Sequence, residues 1–405
     1  MTPVNVAQSR PQDWVYLSEG GSTIVFSYTG PVHPDFTAKI LRLRKTSLNV
    51  ASHDTTIDAE DDPVIAFQNT VIAALVPSKF LPDLEVVLLD ATWLAALEAL
   101  RDSDRPAERR AKDQIDKARQ KGILATDLIG GADILAIEIK PKWGFLPNSA
   151  HLSQETAEIK TSTCRFCMHT RFKFKDDVAT QYCPLDLYSN DEARVRRAIR
   201  DLWGGWVQSN GSLNNMRVFV SGKMIRPSEL YASLGEFLEV STEVHEALAT
   251  ALLPLLQTPV LGTISGLQRS LDALDIEGIF KLHGMAYPNA KGFSAVRGNP
   301  TLGELQDFVA SYHSGYCALD HSKLSLEHID TYLVAYLLSA TFKDCSVIFR
   351  IRRSDRSGDP SVDPHAVSII DLDLKGVDRF EQWADLDRRI VEYYRDIAQR
   401  KLCVE

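Results

Sequence analysis

Alternating apolar and polar residues predict a β-rich beginning of the chain. The strand candidates are short period-two runs bounded by turn residues, namely Trp14–Leu17, Ile24–Tyr28, Lys39–Arg44 and Glu85–Leu89. Helical spacing follows at Thr92–Arg101, and the charged stretch Arg105–Gln120 predicts a helix or an exposed connection. The run Ile134–Ile139 (ILAIEI), which is apolar except for Glu138, predicts a buried strand.

Helical periodicity prevails after that strand. The predicted helices are Asp191–Trp203, Thr242–Gln257, Leu267–Leu282 and His328–Phe342. The last part of the chain predicts, in order, strand Ser346–Arg352, loop Ser354–His365, strand Ala366–Leu372 and helix Asp378–Arg400. At roughly 150 residues per domain, we expect an α+β fold with a β-rich lobe over residues 1–126 and a larger mixed lobe over residues 127–405.

Composition excludes several classes of protein. The 405 residues are 44% hydrophobic and 24% charged, which is typical of a folded globular chain. The net charge of −9 argues against a nucleic-acid coat. We expect no signal peptide or membrane span, because no run reaches the ~18 apolar residues that a spanning helix needs. The six cysteines are then expected to be reduced thiols inside a cell.

Positive charge is concentrated between residues 136 and 226, where 14 Lys and Arg stand against nine Asp and Glu. In an acidic chain such a region indicates a focused anion site. The alternative is a solvated helix face, which would account for Arg194, Arg196, Arg197 and Arg200 without any ligand.

The turn Gly20-Gly21 is a candidate phosphate site, because glycine lets backbone N–H groups approach an anion closely. The Walker A pattern is absent. Arg42 on the next predicted strand would reach phosphates beneath the turn, as a lysine does in protein kinases. The alternatives are a plain hairpin turn and an exposed strand face that carries Lys39 and Arg42.

Two carboxylates are expected at one end of the last predicted hairpin. Asp344 precedes one strand and Asp371 ends the next, so antiparallel pairing would bring them together. Such a pair suits phosphoryl transfer, in which one carboxylate holds Mg²⁺ and the other accepts a hydroxyl proton. Alternatively, Asp371-Leu372-Asp373 only caps the final helix.

A basic and aromatic stripe follows these carboxylates. Lys375, Arg379 and Trp383 are spaced at i, i+4 and i+8 and would share one helix face. The stripe would bind a polyanion near the carboxylates, or it is an exposed surface feature.

Several blocks resemble the signature of the inositol-pentakisphosphate 2-kinase family. EIKPKWGFLP at 138–147 is the most specific, and CRFCMH at 164–169, PLDLYS at 184–189 and NNMR at 214–217 follow in family order. KDCS at 343–346, DLDLK at 371–375 and the opening EGG at 19–21 with KILR at 39–42 are also similar to family motifs. The resemblance spans nearly the whole chain.

This resemblance implies an ATP-dependent kinase that phosphorylates the 2-hydroxyl of inositol 1,3,4,5,6-pentakisphosphate, giving inositol hexakisphosphate (phytate). It implies a two-lobed fold distantly similar to protein kinases, with an inositol-phosphate region at about 136–226 and a catalytic hairpin at 344–375. Asp344 would be the base, and Asp371 would ligate Mg²⁺ with Asp373 as a helper.

The implied nucleotide contacts are Gly20, Gly21, Ser22, Thr23, Ile40, Arg42 and Asp371, with Asp127 as a guess for adenine. The implied substrate contacts are Arg109, Lys140, Lys142, Lys173, Asn214, Asn215, Arg217, Lys375, Arg379 and Trp383. Arg110 is the alternative to Arg109. Thr170 replaces a glutamine of the family motif, which puts that contact in doubt. Substrate contacts from both lobes would close the enzyme, whereas a preformed cleft is the alternative.

The expected partner is a small-molecule inositol phosphate, with no nucleic acid and no membrane, bound by a monomer in the nucleus or the cytoplasm. Two other functions stay open. One is a different inositol-phosphate or lipid-headgroup kinase, and the other is a non-catalytic module that binds polyanions.

Zinc is considered at two groups and favoured at neither. Cys164, Cys167, His169 and Cys183 have ligand-like content, but a second CxxC is missing. His313, Cys317, His321 and His328 have spacings that suit one helix face, and some plant relatives carry a structural zinc in the C-terminal lobe. Ordinary packing is the expectation for both groups.

Overall fold

A computed structural model of the chain describes residues 3–48, 63–175, 180–229, 231–353, 363 and 365–405. It is a mixed α+β protein with two sheets. The strands are β1 Val4–Asn5, β2 Trp14–Glu19, β3 Thr23–Tyr28, β4 Lys39–Ser47, β5 Leu84–Leu88, β6 Asp113–Ile115, β7 Lys121–Thr126, β8 Ile134–Ile139, β9 Met216–Val220, β10 Lys223–Ile225, β11 Ser346–Arg352 and β12 Val367–Ile370.

The helices pack around the two sheets. They are α1 Pro63–Phe67, α2 Ala73–Leu75, α3 Ala91–Arg101, α4 Ala107–Arg110, α5 Gln154–Ser162, α6 Arg165–Phe174, α7 Pro184–Leu187, α8 Glu192–Gln208, α9 Glu236–Leu238, α10 Val244–Leu256, α11 Val260–Leu271, α12 Asp275–Ala286, α13 Leu302–Ala310, α14 Ile329–Asp344 and α15 Phe380–Arg395. The chain forms two compact units: unit 1 is Met1–Thr70 with Pro82–Ala132, and unit 2 is Val71–Leu81 with Asp133–Glu405.

Unit 1 is built on a sheet with the order β1-β5-β7-β4-β3-β2, and β6 pairs with β4. Alternation buries Ile24 and Phe26 of β3 and Leu41 and Leu43 of β4 on one face. Helix α3 covers this face and begins where the Asp90 side chain accepts a hydrogen bond from the backbone of its first turn. The four strands predicted in this region are confirmed.

The stretch Arg105–Gln120 differs from its prediction as a helix or an exposed connection. It contains the short helix α4 and the strand β6, and the side chain of Arg105 is buried. Arg105 Nη2 lies 2.9 Å from Glu19 Oε2 and 2.6 Å from Asp113 Oδ1, and Lys45 joins the same two carboxylates. Charge in the sequence suggested exposure, but these charges are partnered inside unit 1.

Unit 2 is built on an antiparallel sheet with the order β10-β9-β8-β11-β12. All six residues of β8 are buried, as its apolar run predicted. Ser346–Arg352 is a strand with the predicted bounds, and the pairing of β11 with β12 confirms the last hairpin. The predicted loop Ser354–His365 lies mostly outside the described residues.

Two predictions on the helical region are wrong in detail. Leu267–Leu282 is not one helix, because α11 ends at Leu271 and α12 begins at Asp275, whose φ of 58° interrupts the helix. The hairpin β9–β10 lies between two predicted helices, in a region where helices were expected to prevail and no strand was predicted. Helix α14, by contrast, lies where a helix was predicted and is buried on nearly all sides, as expected for an apolar helix in the core of a unit.

Among the described residues, no single helix is long and apolar enough to cross a membrane. The consecutive segments Val244–Leu256 and Val260–Ala286 reach that length and composition only together, bent by 64°.

Candidate active site

Four strands of unit 2 bring polar residues to the same end of the sheet. Opposite residues in the ladder are Ser346 and Ile370, Val347 and Ile139, and Ile139 and Met216. The end of β8, the starts of β9 and β11 and the end of β12 therefore lie side by side. The residues just beyond these strand ends are Lys140, Asn215, Asp344 and Asp371. We call this group, with Lys142 and Lys375, the sheet edge.

Three lysines of the sheet edge contact its two carboxylates. Lys142 Nζ lies 3.3 Å from Asp344 Oδ1, and Lys375 Nζ lies 3.2 Å from Asp344 Oδ2. Lys140 Nζ lies 3.2 Å from Asp371 Oδ2. The carboxylates remain open to solvent, since the side chains of Asp344 and Asp371 are 54% and 47% exposed. Both acids therefore keep room for a further ligand.

The lysines keep Asp344 ionised. Partial burial favours the protonated acid, but the positive charges of Lys142 and Lys375 outweigh it and lower the pKa of Asp344 below its usual value. At neutral pH the group is a carboxylate that can accept a proton.

Backbone conformation at the sheet edge is unusual. Lys142 and Asp371 have φ values of 66° and 60°, in the left-handed region that side chains disfavour. Such residues cost on the order of 1–3 kcal/mol each and persist where the surroundings hold them. Ser346 helps to keep Asp371 in place, because its Oγ lies 2.9 Å from Glu138 Oε1 and 3.2 Å from Asp371 Oδ2.

Contacts between sequence blocks hold the segment that follows β8. Lys142 O accepts hydrogen bonds from Tyr188 Oη at 3.1 Å and from Gln268 Nε2 at 3.0 Å. Gly144 donates its N–H to Gln268 Oε1 at 2.7 Å, and a Cβ on this glycine would meet the Tyr188 ring at 2.6 Å. Glycine is thus required at 144 by the close approach of the ring.

Beside the sheet edge lies a cavity of about 510 Å³. Its lining includes eight of the residues predicted for the site, which are Lys142, Lys173, Asn214, Asn215, Asp344, Lys375, Arg379 and Trp383. The cavity therefore combines positive side chains, amides and an aromatic ring with the ionised Asp344.

The predicted helical stripe is wrong in its local structure. Lys375 lies in the extended segment before the final helix, Arg379 ends a 3₁₀ turn, and only Trp383 is within α15. All three side chains nevertheless line the cavity, because the chain bends into the helix beside the sheet edge. These three side chains are therefore not an isolated stripe on the exposed surface.

Four predicted residues of unit 2 lie outside the lining. Lys140 and Asp371 pair at its border, as described above. Arg217 Nη1 lies 3.2 Å from Glu138 Oε2, its directly opposed neighbour on β8. Asp373 is exposed, and its backbone oxygen accepts a hydrogen bond from Thr341 Oγ1 at 3.1 Å.

Sequence reasoning predicted Lys173 on helix α6 but missed Arg165 and His169 as cavity residues on the same face. Arg165, His169 and Lys173 follow at i, i+4 and i+8 and line the cavity together. Arg165 Nε lies 2.9 Å from Asp387 Oδ1 as an ion pair, but neither the buried Nε nor the buried Nη1 has a hydrogen-bond partner in the described part of the chain. The spacing within CRFCMH and the following residues was the signal that would have found this face.

His169 is neutral in this positive surrounding. Burial, followed by the positive charges of Arg165 and Lys173, lowers the pKa of His169 to about 4. The imidazole therefore adds hydrogen-bonding capacity at neutral pH without adding charge.

Lys343 was also missed, although it directly precedes Asp344. Its Nζ lies 2.5 Å from Asp272 Oδ2, 4.2 Å from the centre of the Trp143 ring and 4.5 Å from that of Tyr336. Burial lowers the pKa of Lys343 against the attraction of Asp272. The ion pair and the two ring contacts of Lys343 stabilise the last turn of α14, and this turn ends at Asp344.

A second lysine cluster adjoins the cavity through Asp387, which is among the lining residues. Lys160 Nζ contacts Asp275 at 2.6 Å, Asp387 at 2.9 Å and Glu277 at 3.1 Å, and its side chain is 2% exposed. We call these four residues the closed cluster. It joins α5, α12 and α15, and its ammonium group already satisfies the three carboxylates.

The arginines of helix α8 match the alternative interpretation of a helix face. Arg194 and Arg197 lie 2.9 Å and 2.8 Å from Asp186 Oδ1, and Arg196 pairs with Glu192 at 2.8 Å. The cations of residues 136–226 that line the cavity are instead Lys142, Arg165 and Lys173.

The predicted nucleotide residues lie in unit 1. The turn Gly20-Gly21-Ser22 joins β2 to β3 and is closed by a 2.9 Å hydrogen bond from Gly20 N to Thr23 O. A Cβ on Gly21 would meet no atom within 4 Å, and neither glycine has a left-handed φ. The turn geometry itself therefore does not require glycine here.

The other predicted residues of unit 1 differ in the ion pairs and hydrogen bonds that their side chains form. Arg42 lies on β4 opposite Val25, next but one to Ile40, and makes no side-chain ion pair within the described residues. Lys39, by contrast, pairs with Glu85 at 2.7 Å. The Asp127 carboxylate accepts hydrogen bonds from Ser27 Oγ at 2.6 Å and from two backbone N–H groups. Arg109 is half-buried on α4, and Arg110 is exposed. Their predicted roles stay predictions.

The described residues bring together a set of possible metal ligands that matches neither of the two zinc candidates. His313, Cys317, His321 and His328 form no such group among the described residues. The segment around Cys317 is a series of turns with a 3₁₀ helix at Tyr316–Ala318, so spacings of four do not align on one helix face. Cys164, Cys167 and Cys183 do come together, with Cys403 in place of His169.

Comparison with known proteins gives consistent results. A family model described as inositol-pentakisphosphate 2-kinase matches residues 16–389. An inositol-pentakisphosphate 2-kinase of Cryptococcus neoformans is 34% identical over 412 residues, which cover 97% of this chain and 96% of that protein. Those of Arabidopsis thaliana and Danio rerio are 28% and 26% identical, and each alignment covers 94% of this chain and 93% of the relative.

Proposed function

This chain belongs to the inositol-pentakisphosphate 2-kinase family, and from that premise we propose how its residues transfer a phosphoryl group. The donor is ATP, the acceptor is the 2-hydroxyl of inositol 1,3,4,5,6-pentakisphosphate, and the product is inositol hexakisphosphate. The observation that carries this proposal is the ionised, half-exposed Asp344 at the border of a cavity lined by cations.

The cavity residues bind the acceptor. An inositol ring with five phosphates needs many fixed cations, and both lysine and arginine bind phosphate oxygens through charged hydrogen bonds. Lys142 and Lys375 contact Asp344 and also line the cavity, so they hold the substrate next to the base. Arg165 and Lys173 on α6 and Arg379 bind further phosphates, and Trp383 packs on the ring.

Asp344 acts as the general base. It accepts the proton of the 2-hydroxyl as the oxygen attacks the terminal phosphorus of ATP, and ADP leaves. The lysines that lower its pKa keep it unprotonated before the step. General-base catalysis contributes roughly 10²–10⁴-fold to a rate, and positioning of the two reactants supplies much of the remainder.

Asp371 and Asp373 fit a magnesium ion. Mg²⁺ prefers carboxylate oxygens and retains several water ligands, and both side chains are exposed enough to accept one. Among the residues that the structure describes, Asp371 uses only its Oδ2, which contacts Lys140 and Ser346. When bound, the ion would neutralise phosphate charge in the transferring group.

The nucleotide contacts are proposed for unit 1. Backbone N–H groups of Gly20–Thr23 would cover the phosphates, and Arg42, which has no ion pair among the described residues, would contact them. Ile40 and Asp127 are retained for the nucleoside, although Asp127 is engaged within its own turn. A two-lobed, distantly kinase-like fold and a monomer that acts in the nucleus or cytoplasm complete the proposal.

Product analysis tests this function. The purified chain is incubated with ATP, Mg²⁺ and each of several inositol phosphates, and the products are separated by anion-exchange chromatography. We expect inositol hexakisphosphate from the pentakisphosphate and slower turnover of acceptors that lack a phosphate. A faster reaction with another inositol phosphate would favour a different kinase activity. Binding without any product would favour a module that only binds polyanions.

A further inference from the structure

The side chains of strand β4 alternate between the two faces of the sheet in unit 1. One face carries Leu41, Leu43 and Lys45, and the other carries Ile40, Arg42 and Arg44. The first is the core face, because Leu41 and Leu43 are buried there. The second holds the two residues of β4 that were proposed for the nucleotide, together with Arg44, which has no role so far.

Arg44 and Lys45 are neighbours in sequence but differ in their partners. Lys45 Nζ lies 3.0 Å from Glu19 Oε2 and 2.9 Å from Asp113 Oδ2, and its side chain is 2% exposed. Arg44 is half-buried, and its side chain forms no ion pair or hydrogen bond with any other residue that the structure describes. The charge of Lys45 is therefore neutralised inside unit 1, whereas that of Arg44 is available to an anion.

Arg44 lies beside the glycine turn. It is directly opposite Thr23, the first residue of β3 after the turn, whereas Arg42 is paired two residues further along β3. The backbone N–H of Lys45 donates to Ser22 O at 3.0 Å, so the turn is joined to this end of β4. Of the two arginines, Arg44 is thus the nearer to the turn whose N–H groups are proposed to cover the phosphates.

The order of residues along β4 matches the order of groups in a nucleotide. Ile40 is opposite Ser27, whose hydroxyl donates to Asp127, and both Ile40 and Asp127 are assigned to the nucleoside. Arg42 follows on the same face and is assigned to the phosphates, and Arg44 lies about 6.6 Å further along the strand. The line from Ile40 to Arg44 therefore runs from the nucleoside towards the end of the phosphate chain.

We propose that Arg44 binds the terminal phosphate of ATP, an inference that rests on the proposed kinase function. A guanidinium group can hold two phosphate oxygens through parallel charged hydrogen bonds. ADP lacks the terminal phosphate, so this contact favours binding of the phosphoryl donor over binding of the spent nucleotide. Arg44 is thus a specificity-determining residue for the donor.

Nucleotide binding to the full chain tests the proposal. Calorimetry with Mg²⁺ and without inositol phosphate gives the affinities of the wild type, Arg44→Ala and Arg42→Ala for ATP and for ADP. We expect Arg44→Ala to weaken ATP binding roughly tenfold to hundredfold, because a hydrogen bond to a charged group is lost. Its ADP affinity should stay within about threefold of the wild type, whereas Arg42→Ala should weaken the binding of both nucleotides.

Lys39→Ala is the matched control for Arg44→Ala. Lys39 is a cation of the same strand, but Glu85 partners its charge at 2.7 Å. This variant should bind ATP as the wild type does. If Arg44→Ala does not fold, Arg44→Gln, which keeps much of the side chain without its charge, takes its place with the same expectation.

Three results would overturn the inference. They are an unchanged ATP affinity in the Arg44 variant, an equal loss of ATP and ADP binding in that variant, and an equal loss of ATP binding in Lys39→Ala. A wild type that does not bind ATP would instead overturn the proposed kinase function, so the two failures are distinguishable.

Discussion

The sheet edge and the closed cluster both combine lysines and carboxylates of unit 2. They differ in how closely these groups contact one another and in how exposed their side chains are. In the closed cluster, one ammonium group contacts three carboxylates at 2.6–3.1 Å and is 2% exposed. At the sheet edge, each contact is 3.2–3.3 Å long and the acids are about half exposed. The first arrangement leaves no capacity for a ligand, whereas the second keeps charge and space available.

This difference teaches that residue type alone does not identify a reactive group. Buried, fully partnered charges hold α5, α12 and α15 together. Open charges contribute little to stability and can exchange their partners for those of a substrate. Variants of the two groups should therefore separate stability from activity.

The largest expected effect is on stability. Lys160→Met leaves Asp275 buried without a cation and should lower the free energy of unfolding by about 3–5 kcal/mol. Lys142→Met at the sheet edge should lower it by about 0–1 kcal/mol. Denaturant unfolding of both variants, followed by a signal from unit 2, measures the two values. Equal losses would remove the distinction between the groups.

A smaller effect is expected on substrate affinity. Arg165→Ala removes a guanidinium group that lines the cavity, and a charged hydrogen bond is worth about 1.5–3 kcal/mol. We expect calorimetry to give roughly tenfold to hundredfold weaker binding of inositol pentakisphosphate.

Arg196→Ala is the matched control for Arg165, because Arg196 pairs with Glu192 on the exposed face of α8. It should leave the affinity unchanged. A similar loss in both variants would mean that charge at any position matters, and it would contradict a defined phosphate contact by Arg165.

The smallest expected effect is a shift in pH dependence. The positive charge of Lys375 lowers the pKa of Asp344, so Lys375→Ala should raise that pKa. Because the base must be unprotonated, the acidic limb of the single-turnover rate should move to higher pH. Lys323→Ala, which changes an exposed lysine paired with Asp320, should leave the profile in place. A shift to lower pH in Lys375→Ala would contradict the assignment of Asp344 as the base.

Local patterns predicted the parts of the site that depend on nearby residues. Two apolar runs predicted the antiparallel pairing of β11 with β12, and this pairing correctly placed Asp344 and Asp371 at the same end of the hairpin. The helical stripe failed at Lys375 because a charge pattern does not show where a helix begins. The hairpin β9–β10 was missed because its short strands lie among helices.

Contacts between distant segments could not be predicted in this way. Lys160 meets Asp387 across 227 residues, and Cys183 meets Cys403 across 220. A single sequence gives no sign of such pairs, because each partner alone resembles an ordinary surface or core residue. The zinc candidate was accordingly considered with His169, the nearest ligand type in sequence, rather than with Cys403.

The most direct test of the account is a single-turnover experiment with Asp344→Asn, in which substrate affinity is measured on the same protein. The substitution keeps the size of the side chain but removes the proton acceptor. The account predicts that inositol pentakisphosphate still binds and that phosphoryl transfer slows by about 10²–10⁴-fold. Asp385→Asn, a change to an exposed acid on α15, should leave the rate unaltered. A near-normal rate in Asp344→Asn would contradict the claim that the sheet edge carries the chemistry.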